Sequence, residues 1–304
     1  MLQQIGKTEL LGSRMALGCM RMAALEPKAA NEVLATALEV GVNFFDHADI
    51  YGAGASEERF AGAVKALGVA REDLLIQSKC GIRPGFFDFS QQHILDSVDG
   101  ILRRLNTDYL DVLALHRPDI LLDPQEVAQA FTKLKETGKV RHFGVSNQNR
   151  YQMELLQAYL DEPLVVNQLQ LSPAHTPMFD AGVNVNMWGQ AAANRDGGIL
   201  EYCRLHGVTV QAWSPFQIDL GQGLFATDAR YQQLNDTLAR LAAEFSVSSE
   251  AMVLAWINRH PAQIQTIVGS MNPQRIRAMA LADRVSLTRP QWYEIYTSAS
   301  NVLP

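Results

Sequence analysis

The sequence predicts an α/β fold: a (β/α)8 barrel carrying an N-terminal β-hairpin and extra C-terminal helices. Three observations predict it. Eight short apolar stretches recur along the chain, each followed by a helical pattern, at the spacing of roughly 30 residues that such units need. The stretches are apolar throughout rather than alternating, as parallel strands covered on both faces are. The turn after the first of them, GCMRMAALEP, lacks the GxGxxG that opens a doubly wound sheet, so closure into a TIM barrel is the better solution. No linker and no repeat of residue identity divides the 304 residues, and 1–304 is read as a single domain.

In chain order, residues 2–14 mix polar and apolar positions around Gly6 and Gly12 and are read as a hairpin. Met15 to Cys19 is the first barrel strand. Its helix begins at Pro27, a favoured first helical position, shows apolar Val33, Leu34, Ala37 and Leu38, and closes at Gly41. The following pairs are Val42–Asp46 with Ser56–Leu67, Leu74–Ser78 with Ser90–Leu105, and Leu110–Leu115 with Pro124–Thr137. Then come Val140–Val145 with Tyr151–Leu160, Val165–Leu169 with Gly198–Leu205, Val208–Trp213 with Arg230–Phe245, and Gln265–Val268 with Pro273–Leu281. A further helix is expected between Phe245 and Pro261, and an amphipathic one after Leu287, whose Trp292, Ile295 and Tyr296 would cover the barrel wall. Two connections, 172–196 and 214–229, exceed the usual loop length of about 4–6 residues and are functional candidates; the second contains Gly221 and Gly223.

Composition narrows the function. Hydrophobic residues at 47% and charged ones at 19% fit an ordered globular protein, and a net charge of -6 with no basic cluster disfavours a nucleic-acid partner. The three cysteines, Cys19, Cys80 and Cys203, show no CxxC spacing, which fits a reducing compartment and argues against a metal site. The start MLQQIGKTEL has no apolar core, and no stretch approaches the ~18 apolar residues of a membrane span, so the expected location is the cytoplasm, without membrane attachment. Nothing in the composition selects an oligomeric state.

Chemistry is concentrated at the ends of the second to fourth strands. GVNFFDHADIYG, Gly41 to Gly52, ends its apolar run on Asp46 and delivers Tyr51 five residues later. Lys79 ends the third strand in SKCG and His116 the fourth in LHRPD. Taken singly, a strand-end carboxylate and lysine are an ion pair and the histidine is a core residue. Together they fall on the one face of a barrel where ligands bind. A phenol of ordinary pKa about 10 is a poor proton donor near neutrality, and an adjacent ammonium lowers that value. Lys79 is placed to do so, Asp46 to hold Lys79, and His116 to bond a substrate oxygen or share the proton. Ser270 and Asn272 precede Pro273, where a helix N-terminus favours an anion or simply caps its helix.

In their order, GVNFFDHADIYG with SEERF, SKCG, LHRPD, GVSN, NQ, WSPF and VGSMNPQRI resemble the motifs of the aldo-keto reductases, in their bacterial oxidoreductase branch, over about Gly18 to Leu281. The resemblance implies reduction of aldehydes or ketones with Asp46, Tyr51, Lys79 and His116 as the catalytic tetrad, Tyr51 being the acid. It implies a nicotinamide cofactor whose carboxamide is held by Ser146, Asn147 and Gln168 and whose ring stacks on Trp213. Ser214, Phe216 and Gly269 fall within the cofactor motifs. Ser270, Asn272 and Arg275 fall at the adenosine 2'-phosphate, which favours NADP over NAD.

The chain departs from the family pattern at Gly269, where many members carry lysine, at Ala278 and Met279, and at Trp213, where tyrosine is usual. Arg21, Met22, Phe86, Trp188 and the 172–196 connection are candidates for the pocket mouth, and Arg21 and Arg117 for binding an anionic substrate. Two other functions remain open: a nicotinamide-binding regulatory or sensor subunit, and an aldolase using Lys79 as a Schiff base.

Overall fold

The computed structural model describes residues 1–304. The chain opens with β1 (Leu2–Gln4) and β2 (Leu11–Ser13), an antiparallel hairpin with Leu2 opposite Ser13. β3 (Met15–Gly18), α1 (Pro27–Glu39), β4 (Phe44–Asp46), α2 (Ala55–Leu67) and β5 (Leu75–Cys80) follow. A small hairpin of β6 (Ile82–Arg83) and β7 (Phe86–Phe87) precedes α3 (Gln91–Leu105), β8 (Leu110–Leu115), α4 (Pro124–Glu136), β9 (Val140–Ser146) and α5 (Arg150–Gln157). The chain continues through β10 (Leu164–Gln170), α6 (Pro177–Val183), α7 (Ile199–His206), β11 (Thr209–Trp213), α8 (Gln232–Phe245) and α9 (Ser249–Asn258), and ends with β12 (Gln265–Val268), α10 (Pro273–Ala280) and α11 (Arg289–Ser298).

The strands β3, β4, β5, β8, β9, β10, β11 and β12 form a closed barrel of parallel neighbours, sealed where β12 pairs with β3 and Ile267 faces Ala16. This is the (β/α)8 barrel with additional C-terminal helices that the apolar runs predict. Helix starts follow local chemistry: Ser90 accepts from His93 N–H, Asp123 precedes Pro124, and Asn149 with Gln152 makes a reciprocal capping box.

The hairpin closes the N-terminal end of the barrel. Its Ile5 and Leu10 pack with Ala16, Phe44, Val112, Val165, Val166 and Ile267 in a cluster distinct from the main core between strands and helices. At the other end of the chain, α11 packs on α9 through stacked Trp256 and Trp292, 5.0 Å apart, each indole donating to the other's backbone carbonyl. Ile295 and Tyr296 are fully buried. No helix is long and apolar enough to cross a membrane.

Two elements depart from the sequence reading. The 172–196 connection contains the short α6, whose Met178 and Phe179 are buried, and GIRPGFFDF folds as the β6–β7 hairpin around Pro84 and Gly85.

Candidate active site

Asp46 is the last residue of β4, and the chain beyond it is laid along β5: His47 N–H donates to Gln77 O at 2.8 Å and Asp49 N–H to Lys79 O at 3.0 Å. That path brings Tyr51 back over Lys79. The turn is sharp because Gly52, Ala53 and Gly54 take φ of +58°, +52° and +95° in succession. Gly54 also needs to lack a side chain, since a Cβ there would meet Arg104 Cδ at 2.5 Å. Arg104, on α3, is in turn fixed by Glu57, which it meets at 2.7 Å and which accepts from Ser78 at 2.8 Å.

Lys79 is wholly buried. Its ammonium stands 2.8 Å from each carboxylate oxygen of Asp46, 2.7 Å from His47 O and 3.3 Å from the Tyr51 phenol oxygen. Burial alone would lower the Lys79 pKa, but Asp46 and then Tyr51 outweigh it and raise it, so the lysine stays charged. The Tyr51 phenol is pushed above its ordinary value, because burial outweighs the opposing Lys79. The lowering by Lys79 that the sequence suggested therefore operates but does not prevail in the protein alone. His116 follows β8, its ring edge-on to Tyr51 at 6.0 Å. Burial, with Lys79 and Arg117 nearby, takes its pKa down to about 2, so the imidazole is neutral, and its Nδ1 is buried without a partner.

Beneath Asp46 lies a set of amides of which the sequence reading singled out only Gln168. Gln77 Nε2 donates to Asp46 at 2.7 Å and to Gln211 Oε1 at 2.8 Å; Gln168 Nε2 does the same at 3.0 and 3.2 Å. Gln211 Nε2 donates to Gln265 Oε1 at 2.8 Å, and Gln265 Nε2 to the backbone carbonyl of Ser13 at 2.8 Å. Gln77, Gln211 and Gln265 have no exposed surface. The available signal was a glutamine inside each of three apolar strands, LIQSK, TVQAW and QTIV.

The ends of β9, β10 and β11 bring the next group together. Ser146 Oγ donates to Gln168 O at 2.9 Å. Asn147, in the left-handed region, donates to Ser146 Oγ at 2.8 Å and to His116 O at 3.4 Å, and accepts the Trp213 indole N–H at 3.1 Å. Asn147 thus braces Trp213. Ser214 is also left-handed, turning the chain out of β11, and Phe216 packs against the core.

At the exit of β12, Asn272 Oδ1 caps α10 through Gln274 and Arg275 N–H, with Ser270 Oγ accepting from Asn272 N–H at 3.3 Å. Arg275 is exposed. Arg21 reaches across to donate to Gly269 O at 2.9 Å, and a Cβ on Gly269 would lie 3.0 Å from that guanidinium nitrogen.

Of the residues considered for the pocket mouth, Met22 is instead fully buried, because its N–H turns back onto Cys19 O. Phe86 is 56% exposed and Trp188 entirely so. No group of three or more His, Cys, Asp or Glu side chains is placed to hold a metal ion.

Comparison with known proteins shows which family the chain is similar to. Residues 14–298 match the model of the Aldo/keto reductase family. The chain is 39% identical over 271 residues to Oxidoreductase YdhF of Escherichia coli, covering 86% of this chain and 84% of that protein. It is 34% identical over 300 residues to the 6-dehydroglucose reductase of Agrobacterium fabrum, covering 94% of each. A lower likeness, 25% over 316 residues, links it to a probable voltage-gated potassium channel subunit beta of Arabidopsis thaliana, covering 95% of this chain and 93% of that protein. Among solved structures, the thermostable aldo-keto reductase Tm1743, in complex with the inhibitor epalrestat, shares the fold with a TM-score of 0.79 at 24% identity, over 98% of this chain and 99% of that one.

Proposed function

The chain belongs to the aldo/keto reductase family, and from that premise we propose that it is an NADPH-dependent reductase of aldehydes or ketones with Tyr51 as the general acid. The observation that carries this reading is the placement of one buried ammonium, Lys79, against both Asp46 and Tyr51. When bound, the nicotinamide supplies the hydride that the carbonyl carbon accepts.

The protein's own part is to deliver the proton. Tyr51 Oη passes its proton to the carbonyl oxygen, and Lys79 stabilises the phenolate left behind. Asp46 keeps Lys79 charged and aimed, while the two glutamine amides on Asp46 hold the carboxylate in place. Neutral His116 offers a ring N–H to the same oxygen without adding charge.

The residues fit the cofactor. Gln168 uses its Nε2 on Asp46 and Gln211, which leaves Oε1 to accept from a carboxamide N–H. The 3.4 Å bond from Asn147 to His116 O is the one that a carboxamide oxygen would replace, with Ser146 holding Asn147 in place. Trp213, braced at its edge, offers a flat face for stacking, flanked by Ser214 and Phe216. Ser270, Asn272 and Arg275 beside the start of α10 suit a 2'-phosphate, and Arg21 at Gly269 adds a positive charge there. NAD is therefore the less favoured cofactor.

A second reading, a nicotinamide-binding regulatory or sensor subunit, draws on the likeness to channel beta subunits. A Schiff-base role for Lys79 is disfavoured, because three acceptors already surround its nitrogen. Steady-state NADPH oxidation against a panel of aldehydes and ketones separates the first two readings. Turnover is expected; tight NADPH binding with no turnover of any carbonyl would replace the reductase by the sensor. In fluorescence titrations, Arg275→Ala should weaken NADPH binding by about 10-fold and NADH binding little.

A further inference from the structure

We propose that Arg117 is a substrate-recognition residue that binds a carboxylate on the carbonyl substrate, making oxo acids and aldehyde acids the preferred class. The proposal deepens the carbonyl-reductase reading and rests on it.

Arg117 leaves β8 directly after His116, so its backbone shares the position that brings the imidazole to Tyr51. Pro118 follows and restricts Arg117 to an extended backbone. The side chain is half-buried, with its guanidinium carbon 5.6 Å from the centre of the Trp213 ring. Its surroundings are thus His116, proposed to bond the carbonyl oxygen, and Trp213, proposed to stack on the nicotinamide. Burial lowers its pKa, and Tyr51 is the group that acts in the other direction.

The five N–H donors of Arg117 have no partner in the protein, and it is the one such half-buried arginine at the strand ends. Of the other half-buried arginines, Arg71 meets Asp111 and two carbonyls, Arg104 meets Glu57 and Arg14 meets Asn258 O, while Arg59, also without a partner, lies on α2 beside Pro27 and Asn31 of α1. Arg21, the other arginine considered for an anionic substrate, is turned to Gly269 O. Nor can the site's own carboxylate neutralise Arg117, because Asp46 is already taken up by Lys79, Gln77 and Gln168.

A half-buried, unpaired guanidinium at the mouth of a site matches an acceptor brought by the ligand. A carboxylate is the bidentate match for its fork, and the adjacency to His116 places that carboxylate a short distance from the carbonyl.

The test uses full-length protein with NADPH and two substrates that differ in a carboxylate, succinate semialdehyde and butanal. The ratio of their kcat/KM values should favour the acid in the wild type and fall about 10- to 100-fold in Arg117→Gln, mainly through the KM of the acid, with Arg117→Lys recovering part of it. A ratio unchanged in Arg117→Gln overturns the proposal. Calorimetric binding of succinate to the NADP-loaded protein gives a readout free of turnover. Binding lost in Arg117→Gln supports the site; equal binding, or none to the wild type, overturns it. Absence of all carbonyl turnover with succinate binding intact would overturn the reductase reading instead.

Discussion

The phenol oxygen of Tyr51 and the ammonium of Lys79 meet at 3.3 Å, inside a site where burial raises the phenol pKa. At neutral pH the proton is therefore on Tyr51, ready to be given. Tyr51→Phe should lower kcat for carbonyl reduction by about 10²- to 10⁴-fold with NADPH affinity retained, measured by turnover and fluorescence titration. The donor form is present below the Tyr51 pKa, so in the wild type the rate should fall only as pH rises through a value above 10. His116, held neutral with a pKa of about 2, should add no limb between pH 5 and 8.

Lys79→Met leaves Asp46 buried with the two glutamine donors but no counter-charge. It should cost about 3–5 kcal/mol in urea unfolding. Asp46→Asn combined with Lys79→Met removes both charges and should recover much of that loss. A double variant as unstable as the single one would show that packing, not the unpaired charge, dominates.

Gln211→Leu removes the acceptor shared by Gln77 and Gln168. The expected cost is about 1–3 kcal/mol of stability, from amide groups left unpaired in the barrel interior. With Asp46 less firmly held, kcat should fall by about 3- to 10-fold at unchanged KM. Loss of stability with kcat intact would make the amides purely structural.

Asp49 lies just before Tyr51, with its Oδ1 buried and unpartnered. Burial, reinforced by Glu57, raises its pKa to about 6 from an ordinary 3.8. A carboxyl with a raised folded-state pKa stabilises the fold below its unfolded pKa, and that contribution is lost as pH rises through about 6. Asp49→Asn should therefore stabilise the protein relative to wild type by about 1–3 kcal/mol more at pH 7.5 than at pH 4.5, read from thermal melts.

The barrel was legible because its signal is repeated: one strand assigned wrongly would still leave seven others in register. Asp46, Tyr51, Lys79 and His116 were legible because polar residues at the ends of apolar runs are rare enough to notice. Gln77, Gln211 and Gln265 were not, since a glutamine inside an apolar strand gives no hint of which face it takes or which distant strand it meets. Met22 illustrates the reverse case: an apolar residue in a loop after a strand looks like pocket lining until the turn onto Cys19 is known. The succession Gly52, Ala53, Gly54 hid in a similar way, because alanine is seldom left-handed and only Arg104, 50 residues further along the chain at the nearest, explains why the turn closes so tightly.

The column of amides along the barrel axis has a direction. Gln211 receives at its oxygen and gives at its nitrogen, and Gln265 repeats the pattern, so turning any one amide over would set like ends against each other. The last acceptor is the main-chain carbonyl of Ser13, which cannot be turned. The hairpin that floors the barrel therefore fixes the polarity of the whole column, and through it the fact that Asp46, at the far end, looks down on two N–H groups rather than two oxygens.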